Sequence, residues 1–248
     1  LCRQLPAAVR VGFDRARARD FQWLFTDERI AAAHGEHALE AMMGFARHIG
    51  AQPTDLRWDI PVANAERAFA EQHAAPRTIV ISPCSSQRSR NFRNWPVEHF
   101  VAVVRYLEER LAANVLLTGG NSPLESEYAQ TIAAGTGATN LVGQTSLKQL
   151  FALLCAADVV ICPDSGPAHM ATAAGTPVIG LYATSNPDRT GPYQSRQLCV
   201  NRYPDAVEQY LGKRVPDIRW GRRVRHPDAM QLITVNDVIG KIDDLYSI

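Results

Sequence analysis

The sequence predicts an α/β protein built on a doubly wound parallel sheet. From about residue 76 onward, short β-branched apolar runs alternate with amphipathic helical segments, which is the order of a parallel sheet covered on both faces. The 248 residues include 46% hydrophobic and 21% charged side chains, a composition typical of a folded globular protein. No apolar run in this sequence approaches the roughly 18 residues of a membrane span.

Local signals predict the boundaries of these elements. Residues 78–82 (TIVIS) have the pattern of a buried strand that ends at Pro83. Trp95-Pro96 opens a helix, because proline is tolerated in a first helical turn, and Ser146 is a candidate N-cap. The predicted strands are 78–82, 114–118, 140–142, 158–162 and 177–182; the predicted helices begin near 95, 123 and 146, and a fourth covers 168–174.

Residues 1–75 carry a sparser pattern. Residues 9–13 fit a strand, and residues 36–49 fit a helix with an inward face. That face consists of Leu39, Met42, Met43, Ala46 and Ile49. We interpret residues 1–75 as the rear part of a first domain with its linker and residues 76–248 as a complete second domain. The chain begins with Leu1 rather than Met, which indicates a piece of a longer protein.

Charge and cysteine content narrow the class of function. The chain has 26 Lys and Arg against 25 Asp and Glu, a formal net charge of +1, which argues against a general nucleic-acid binder. Its five cysteines include no CxxC pair, so we expect a reducing compartment and a cytoplasmic location.

Ligands of doubly wound sheets bind beyond the carboxyl ends of the strands, so the loops there are candidate sites. Residues 82–93 form the first such loop. It offers the hydroxyls of Ser85 and Ser86 and three guanidiniums, the last of them Arg93, ahead of a helix N-terminus. This combination suits a diphosphate, because helix N-termini and guanidiniums both stabilise anions. The alternative is a solvated basic loop.

Two further loops follow later strands. Glu125 lies a few residues beyond the strand at 114–118, where a carboxylate can accept hydrogen bonds from ribose hydroxyls; alternatively it is a favoured residue of a first helical turn. The turn after residue 162 holds Asp164, Ser165, Gly166 and His169, and its main-chain N–H groups can face an anion. The alternative for His169 is an ordinary core or surface histidine.

Other motifs are incomplete. Gly135 and Gly137 lie between a helix and a strand, the reverse of a dinucleotide fingerprint. His34 and His37 have no third ligand nearby, so we predict no metal site, and Ser165 lacks the context of a nucleophile elbow.

A basic cluster near the end of the chain is a candidate for contact with an anionic membrane or an acidic acceptor. The alternative is a solvated surface run. The cluster consists of Arg219, Arg222, Arg223, Arg225 and His226, with Trp220 among them.

Taken together, these loops resemble the ADP-heptose:lipopolysaccharide heptosyltransferases, glycosyltransferase family 9. Residues 164–182 (DSGPAHMATAAGTPVIGLY) match the family's D-[ST]-G-x-x-H turn, its A-x-G-x-P connection and the following strand in order. Residues 93–96 (RNWP) resemble its basic-residue-x-Trp-Pro element, and residues 118–125 resemble its ribose-contact loop. Residues 12–17 resemble the end of its acceptor domain.

The resemblance implies a GT-B fold of two facing Rossmann-like domains, here a complete C-terminal domain and part of an N-terminal one. It implies transfer of heptose from ADP-heptose to the lipopolysaccharide inner core, with inversion and without a metal or another cofactor. The implied partners are the nucleotide-sugar donor and the lipopolysaccharide acceptor, with no nucleic acid. The implied location is cytoplasmic, with peripheral contact at the inner membrane.

The resemblance also implies residue roles. Arg93, where relatives usually have Lys, stabilises charge on the leaving phosphate, and Asp164 binds the heptose. The remaining donor-side positions are Ser85 and Ser86 near the diphosphate, Glu125 at the ribose, and Ser165, Gly166 and His169 along the phosphates. Arg17 and Arg19 belong to the acceptor-binding surface, while the family's general base has no counterpart in this sequence.

Three alternatives stay open at this point. The chain is a nucleotide-sugar-binding module without activity of its own, or it belongs to a family 9 transferase that uses another sugar. A dinucleotide-dependent oxidoreductase is disfavoured, because no complete GxGxxG follows any predicted strand.

Overall fold

The computed structural model describes residues 4, 6–52, 55–85 and 91–247. The chain divides into two compact units, Leu1–Leu56 and Arg57–Ile248. Across the described ranges, every helix falls short of the length and apolar character that a membrane span requires. The assignment of residues 1–75 to an acceptor-side domain stays a prediction.

The first unit is built on a small parallel ladder. Strands β1 (Val11–Gly12) and β2 (Glu28–Arg29) pair in parallel, and helix α1 (Ala38–His48) follows them. The rings of Phe13 and Phe45 meet edge to face, with centroids 4.9 Å apart. This aromatic contact packs α1 beside the segment that contains β1.

The predicted inward face of α1 is only partly buried. The side chains of Met42 and Ile49 are 54% and 76% exposed, so the prediction is wrong for these two residues. The physical reason is that strands of two residues each present too little apolar surface to cover a whole helix face.

The second unit contains a six-stranded, wholly parallel sheet, which confirms the predicted fold class. Its strands are β3 (Thr78–Ile81), β4 (Asn114–Leu117), β5 (Thr139–Asn140), β6 (Val159–Pro163), β7 (Val178–Tyr182) and β8 (Val200–Asn201). They lie in the order β5-β4-β3-β6-β7-β8. Chain order reverses between β3 and β6, so this order has the switch point of a doubly wound dinucleotide-type sheet.

Helices cover both faces of this sheet. They are α2 (Asn64–His73), α3 (Val97–Leu111), α4 (Pro123–Ala134), α5 (Leu147–Ala156), α6 (Gly166–Ala174), α7 (Pro187–Thr190), α8 (Tyr203–Leu211) and α9 (Val235–Tyr246). Alternate strand residues point to opposite faces. Val80, Leu116 and Val160 pack with α2, α5 and α6, whereas Ile79, Leu117 and Ile161 pack with α3, α4, α8 and α9.

Several local signals act as predicted. The Ser146 hydroxyl accepts a hydrogen bond from the Gln149 N–H, and the Gln149 side-chain oxygen accepts one from the Ser146 N–H, which completes a capping box at α5. Gly175 ends α6 at φ +81°, a left-handed conformation that glycine adopts without strain. Trp95 is fully buried before α3, and its ring N–H donates to the Ile233 carbonyl oxygen at 2.9 Å. This bond fixes the start of α3 to the segment that precedes α9.

Candidate functional site

The candidate site lies at the carboxyl edge of the sheet in the second unit. The helices after the adjacent strands β3 and β6 are α3 and α6, and they pack on opposite faces of the sheet. Such a divergence leaves a crevice beyond the strand ends, which is where ligands bind in open α/β sheets. The loops that follow β3, β6 and β7 therefore surround the candidate site.

Asp164 joins these three loops. It directly follows β6 and is buried. Its Oδ2 atom accepts a hydrogen bond from the Ser185 hydroxyl, which follows β7, at 2.8 Å. The Arg93 guanidinium, from the loop after β3, donates to the Asp164 main-chain oxygen at 2.8 Å and lies 3.6 Å from Oδ2. One residue thus fixes the relative positions of three strand ends.

Arg93 is held in place but keeps a solvent-facing part. Its main-chain N–H and its Nε donate to the Asn91 side-chain oxygen at 3.2 and 3.4 Å, in addition to the contacts with Asp164. The side chain is 14% exposed. A guanidinium anchored in this way has a fixed position and orientation.

The start of α6 supplies a buried hydroxyl and open space. Ser165 is the N-cap and is 8% exposed, and its Oγ lacks a hydrogen-bond partner of ordinary geometry among the described residues, with the Cys162 thiol nearby. A Cβ atom added at Gly166 would meet nothing within 4 Å. The start of α6, where Pro167 contributes no N–H, therefore borders open space beside a buried hydroxyl that lacks an ordinary partner among the described residues.

The polar groups at this edge suit an anion. Guanidinium, hydroxyl and main-chain N–H groups are hydrogen-bond donors, and a helix N-terminus adds partial positive charge. In the part of the chain that the structure describes, no three His, Cys, Asp or Glu side chains form a group that could hold a metal ion.

Ser85 and Ser86 differ in what the structure shows. Ser85 is buried: its N–H donates to the Asn94 side-chain oxygen and its hydroxyl to the Asn91 side-chain oxygen, both at 2.9 Å. Its hydroxyl therefore organises its own loop. Ser86 lies outside the described residues.

Glu125 is folded back on its own loop at the start of α4. Its Oε1 accepts from the Gly120 N–H at 2.8 Å, and its Oε2 accepts from the Ser122 hydroxyl at 2.5 Å. Burial and, as the smaller cause, the nearby charge of Glu125 together raise the pKa of the Cys84 thiol, in the loop after β3, to about 12. Glu125 thus acts as an acidic residue of the first turn of α4, and it also lies at the carboxyl edge of the sheet with the other candidate residues.

His169 faces a different part of this edge. Its exposed side chain lines a mainly apolar cavity of about 660 Å³ between α2, α5 and α6, with Pro61, Leu147, Phe151 and Met170 among the lining residues. The structure therefore places His169 toward the α2 and α5 side, one helical turn beyond Gly166.

The two predicted acceptor-side residues lie in the first unit. Arg17 donates to the carboxylates of Asp14 and Glu36 and to the Ala31 carbonyl oxygen. Burial tends to raise the pKa of Asp14, but hydrogen bonds from Arg17 and the Ala16 N–H outweigh it and hold this pKa below its ordinary value. Arg17 is therefore engaged within its own unit, whereas Arg19 is exposed.

The sequence does not predict two residues of the site, Ser185 and Arg223, as donor contacts. Ser185 follows β7, so the strand-end rule that identified Asp164 would also have identified it. Arg223 lies 3.9 Å from Asp164 Oδ2 through its NH2 atom, although the sequence placed it in a surface basic cluster. Arg223 lies 59 positions after Asp164, and no local motif connects residues that far apart in the sequence.

Sequence comparisons show that the chain is similar to lipopolysaccharide heptosyltransferases. The model of the family described as glycosyltransferase family 9 (heptosyltransferase) matches residues 1–215. The chain is 35% identical over 245 residues to lipopolysaccharide core heptosyltransferase OpsX of Haemophilus influenzae, covering 97% of this chain and 70% of that protein. It is 28% identical over 196 residues to lipopolysaccharide heptosyltransferase 3 of Escherichia coli, covering 75% and 55%.

Solved structures show the same fold. The glycosyl transferase family 9 structure from Veillonella parvula superposes with a TM-score of 0.68 at 22% identity, over 90% of this chain and 63% of that one. Escherichia coli heptosyltransferase WaaC with ADP gives a TM-score of 0.64 at 20% identity, over 96% and 66%. The chain thus spans from 55% to 70% of the length of these relatives.

Proposed function

Because the chain belongs to glycosyltransferase family 9, the heptosyltransferases, we propose that it transfers heptose from ADP-heptose to the inner core of lipopolysaccharide. The chain contributes the donor-binding half of this reaction through its second unit. The reaction we propose inverts the anomeric carbon and uses no metal.

One observation carries the proposal: Arg93, Asp164 and Ser185 converge from three strand ends at the switch point of the sheet. The Ser165 hydroxyl, which has no ordinary hydrogen-bond partner within the described ranges, and the open start of α6 lie directly beside them. A diphosphate would supply acceptor oxygens for the Ser165 hydroxyl and for the guanidinium of Arg93. The convergence supports donor binding at this edge more directly than any single residue does.

The chemistry assigns distinct tasks to these groups. An acceptor hydroxyl oxygen bonds to the anomeric carbon of the heptose, the bond from that carbon to the β-phosphate oxygen breaks, and ADP leaves with the bonding electron pair. The hydroxyl proton passes to a general base, for which we assign no residue of this chain. Arg93 opposes the negative charge that develops on the leaving phosphate, and this stabilises the transition state more than the bound donor.

The remaining assignments complete the proposed donor site. We propose that Asp164 accepts a hydrogen bond from a heptose hydroxyl, since Ser185 and the cations beside it leave further lone pairs on its carboxylate. Glu125 accepts from the ribose. Ser85, Ser86, Gly166 and His169 are proposed as donor-side positions, and Arg17 and Arg19 as acceptor-side positions, on the resemblance alone.

We also propose that the protein works at the cytoplasmic face of the inner membrane. The exposed arginines Arg219, Arg222 and Arg225 support this location, because basic patches are attracted to anionic lipids. Sedimentation with vesicles that contain phosphatidylglycerol, compared with neutral phosphatidylcholine vesicles, tests it. Equal sedimentation with both would refute an electrostatic contact.

The test of the proposed function has two stages. Calorimetric titrations of the chain with ADP-heptose, ADP, a UDP-sugar and NAD should show binding of the two adenosine diphosphate ligands only. In a protein to which the upstream part of the family 9 sequence, with its general base, has been restored, addition of a lipopolysaccharide acceptor that lacks heptose should then release ADP. Donor binding without ADP release would favour the binding-module alternative, a preference for a UDP-sugar would favour another sugar, and a preference for NAD would favour the oxidoreductase.

A further inference from the structure

We infer that Arg223 is a second guanidinium of the diphosphate site, contributed by the C-terminal part of the chain. The inference rests on the proposed function for the identity of the ligand, and on the geometry around Asp164 for the place of the residue. The match to the family model ends at residue 215, so it assigns nothing to Arg223.

Arg223 and Arg93 lie on the same buried carboxylate. The NH2 atom of Arg223 is 3.9 Å from Asp164 Oδ2, and the NH1 atom of Arg93 is 3.6 Å from that oxygen. Both distances exceed a charge-assisted hydrogen bond, whose length is about 2.7–2.9 Å. The Asp164 carboxylate therefore brings the two cations together by charge, and the Arg223 side chain is 44% exposed.

The backbone around Arg223 is fixed on both sides. The Val224 N–H donates to the Thr184 carbonyl oxygen at 3.0 Å, two residues beyond the end of β7, and the Val224 side chain is buried. The Tyr203 hydroxyl donates to the Arg222 carbonyl oxygen at 2.6 Å. These contacts hold the segment 222–224 at the carboxyl edge of the sheet, so the position of Arg223 follows from packing and main-chain bonds as well as from its ion pair.

The charge balance favours an anionic ligand between these groups. Two guanidiniums and one carboxylate leave a net charge of +1, and the N-terminus of α6 adds partial positive charge beside the unpartnered Ser165 hydroxyl. A half-exposed ion pair of 3.9 Å by itself contributes little stability. A bound diphosphate would use the donors of both guanidiniums and of Ser165.

The test measures the affinity of the chain for ADP and for inorganic pyrophosphate by calorimetry. We expect Arg223→Ala to weaken both at least tenfold and Arg223→Lys to restore part of the loss, because the charge returns without the forked geometry. Arg214→Ala is the matched control: Arg214 is an exposed arginine earlier in the same segment, paired with Asp217 at 2.9 Å. We expect Arg214→Ala to leave both affinities unchanged, and thermal unfolding checks that every variant is folded.

The outcomes separate this inference from the proposed function. Unchanged affinities in Arg223→Ala would overturn the inference and leave the proposed function intact. Arg223-dependent binding of pyrophosphate without binding of ADP would support the inference and contradict the proposed donor. If the unmodified chain binds neither ADP nor pyrophosphate, the inference and the proposed function are both overturned. A lower melting temperature in Arg223→Ala with unchanged affinities would overturn the inference and show that Arg223 only stabilises the fold.

Discussion

Replacing Gly166 with alanine separates the stability of the free protein from its capacity to bind a donor. A Cβ atom at this position would meet nothing within 4 Å, and the residue begins α6 without the positive φ that glycine tolerates. The ring of Pro167, which directly follows, is therefore the one neighbour that crowds a methyl group on this helical residue. The same methyl group would extend into the open space at the start of α6, where we propose that the diphosphate binds.

The magnitudes follow from these two facts. Alanine in place of glycine in a helix stabilises the fold by up to about 1 kcal/mol, but Pro167 disfavours the helical conformation of a residue with a Cβ at position 166. The two effects oppose each other, so for a chain of this size the melting temperature changes by at most about 4 °C. A hydrogen bond to a charged group contributes about 1.5–3 kcal/mol, so losing one weakens ADP about 10- to 100-fold. We therefore expect Gly166→Ala to keep the melting temperature within about 4 °C of that of the unmodified chain while it lowers the affinity for ADP.

Two other glycines provide controls in the same assay. Gly240 lies within α9 with no atom near an added Cβ, so Gly240→Ala should gain stability and leave ADP affinity unchanged. Gly175 has φ +81°, so Gly175→Ala should lose stability. Thermal unfolding and calorimetry with ADP measure both quantities. Undiminished ADP affinity in Gly166→Ala would refute an approach of the diphosphate to the N-terminus of α6.

Three further predictions concern single side chains. Arg93→Ala should reduce heptose transfer about a hundredfold but donor affinity less than tenfold, because its main partner is the departing charge; equal losses would show a binding residue only. Ser165→Ala should leave stability unchanged or raise it by about 1 kcal/mol, since it removes a buried hydroxyl without a partner, while ADP stabilises the variant less in thermal unfolding. Burial tends to raise the pKa of Asp237, but hydrogen bonds from Arg202 and from Thr234 hold it below its ordinary value of 3.8. The contribution of Asp237 to stability is therefore present above about pH 3.8 and is lost as the pH falls through the folded pKa. In urea unfolding at a series of pH values, Asp237→Asn should lose less unfolding free energy on acidification than the unmodified chain. An equal loss in both proteins would contradict this assignment.

The sequence predicts the four central strands of the sheet well because they are almost entirely buried. Residues 78–82, 114–118, 158–162 and 177–182 form continuous apolar runs, and each coincides within about one residue with a strand of the structure. The sequence does not predict strand β8 or helix α8. Strand β8 (Val200–Asn201) is too short to form a recognisable apolar run, and the pairing of this strand with β7 depends on tertiary contacts. Helix α9 was also not assigned, although its apolar residues recur at helical spacing.

The sequence predicts the candidate site only where strand ends are close in the chain to their functional groups. Asp164 and Ser165 directly follow a strand, so their position at the carboxyl edge was predictable. Arg223 reaches the same edge because the Val224 N–H donates to the Thr184 carbonyl oxygen just beyond β7, and these two residues are 40 positions apart in the sequence. Local patterns contain no information about such a contact. His169 faces α2 and α5, which the packing of these helices decides.

The paired hydrogen bonds of Glu125 have a consequence for the entropy of ligand binding. A glutamate side chain that becomes immobilised gives up about 1.5–2 kcal/mol of rotamer freedom. Gly120 and Ser122 already immobilise this carboxylate in the folded chain, so that cost falls on folding rather than on association. A hydroxyl that approaches Glu125 meets a group whose ordering is complete, and each carboxylate oxygen retains a lone pair to accept it.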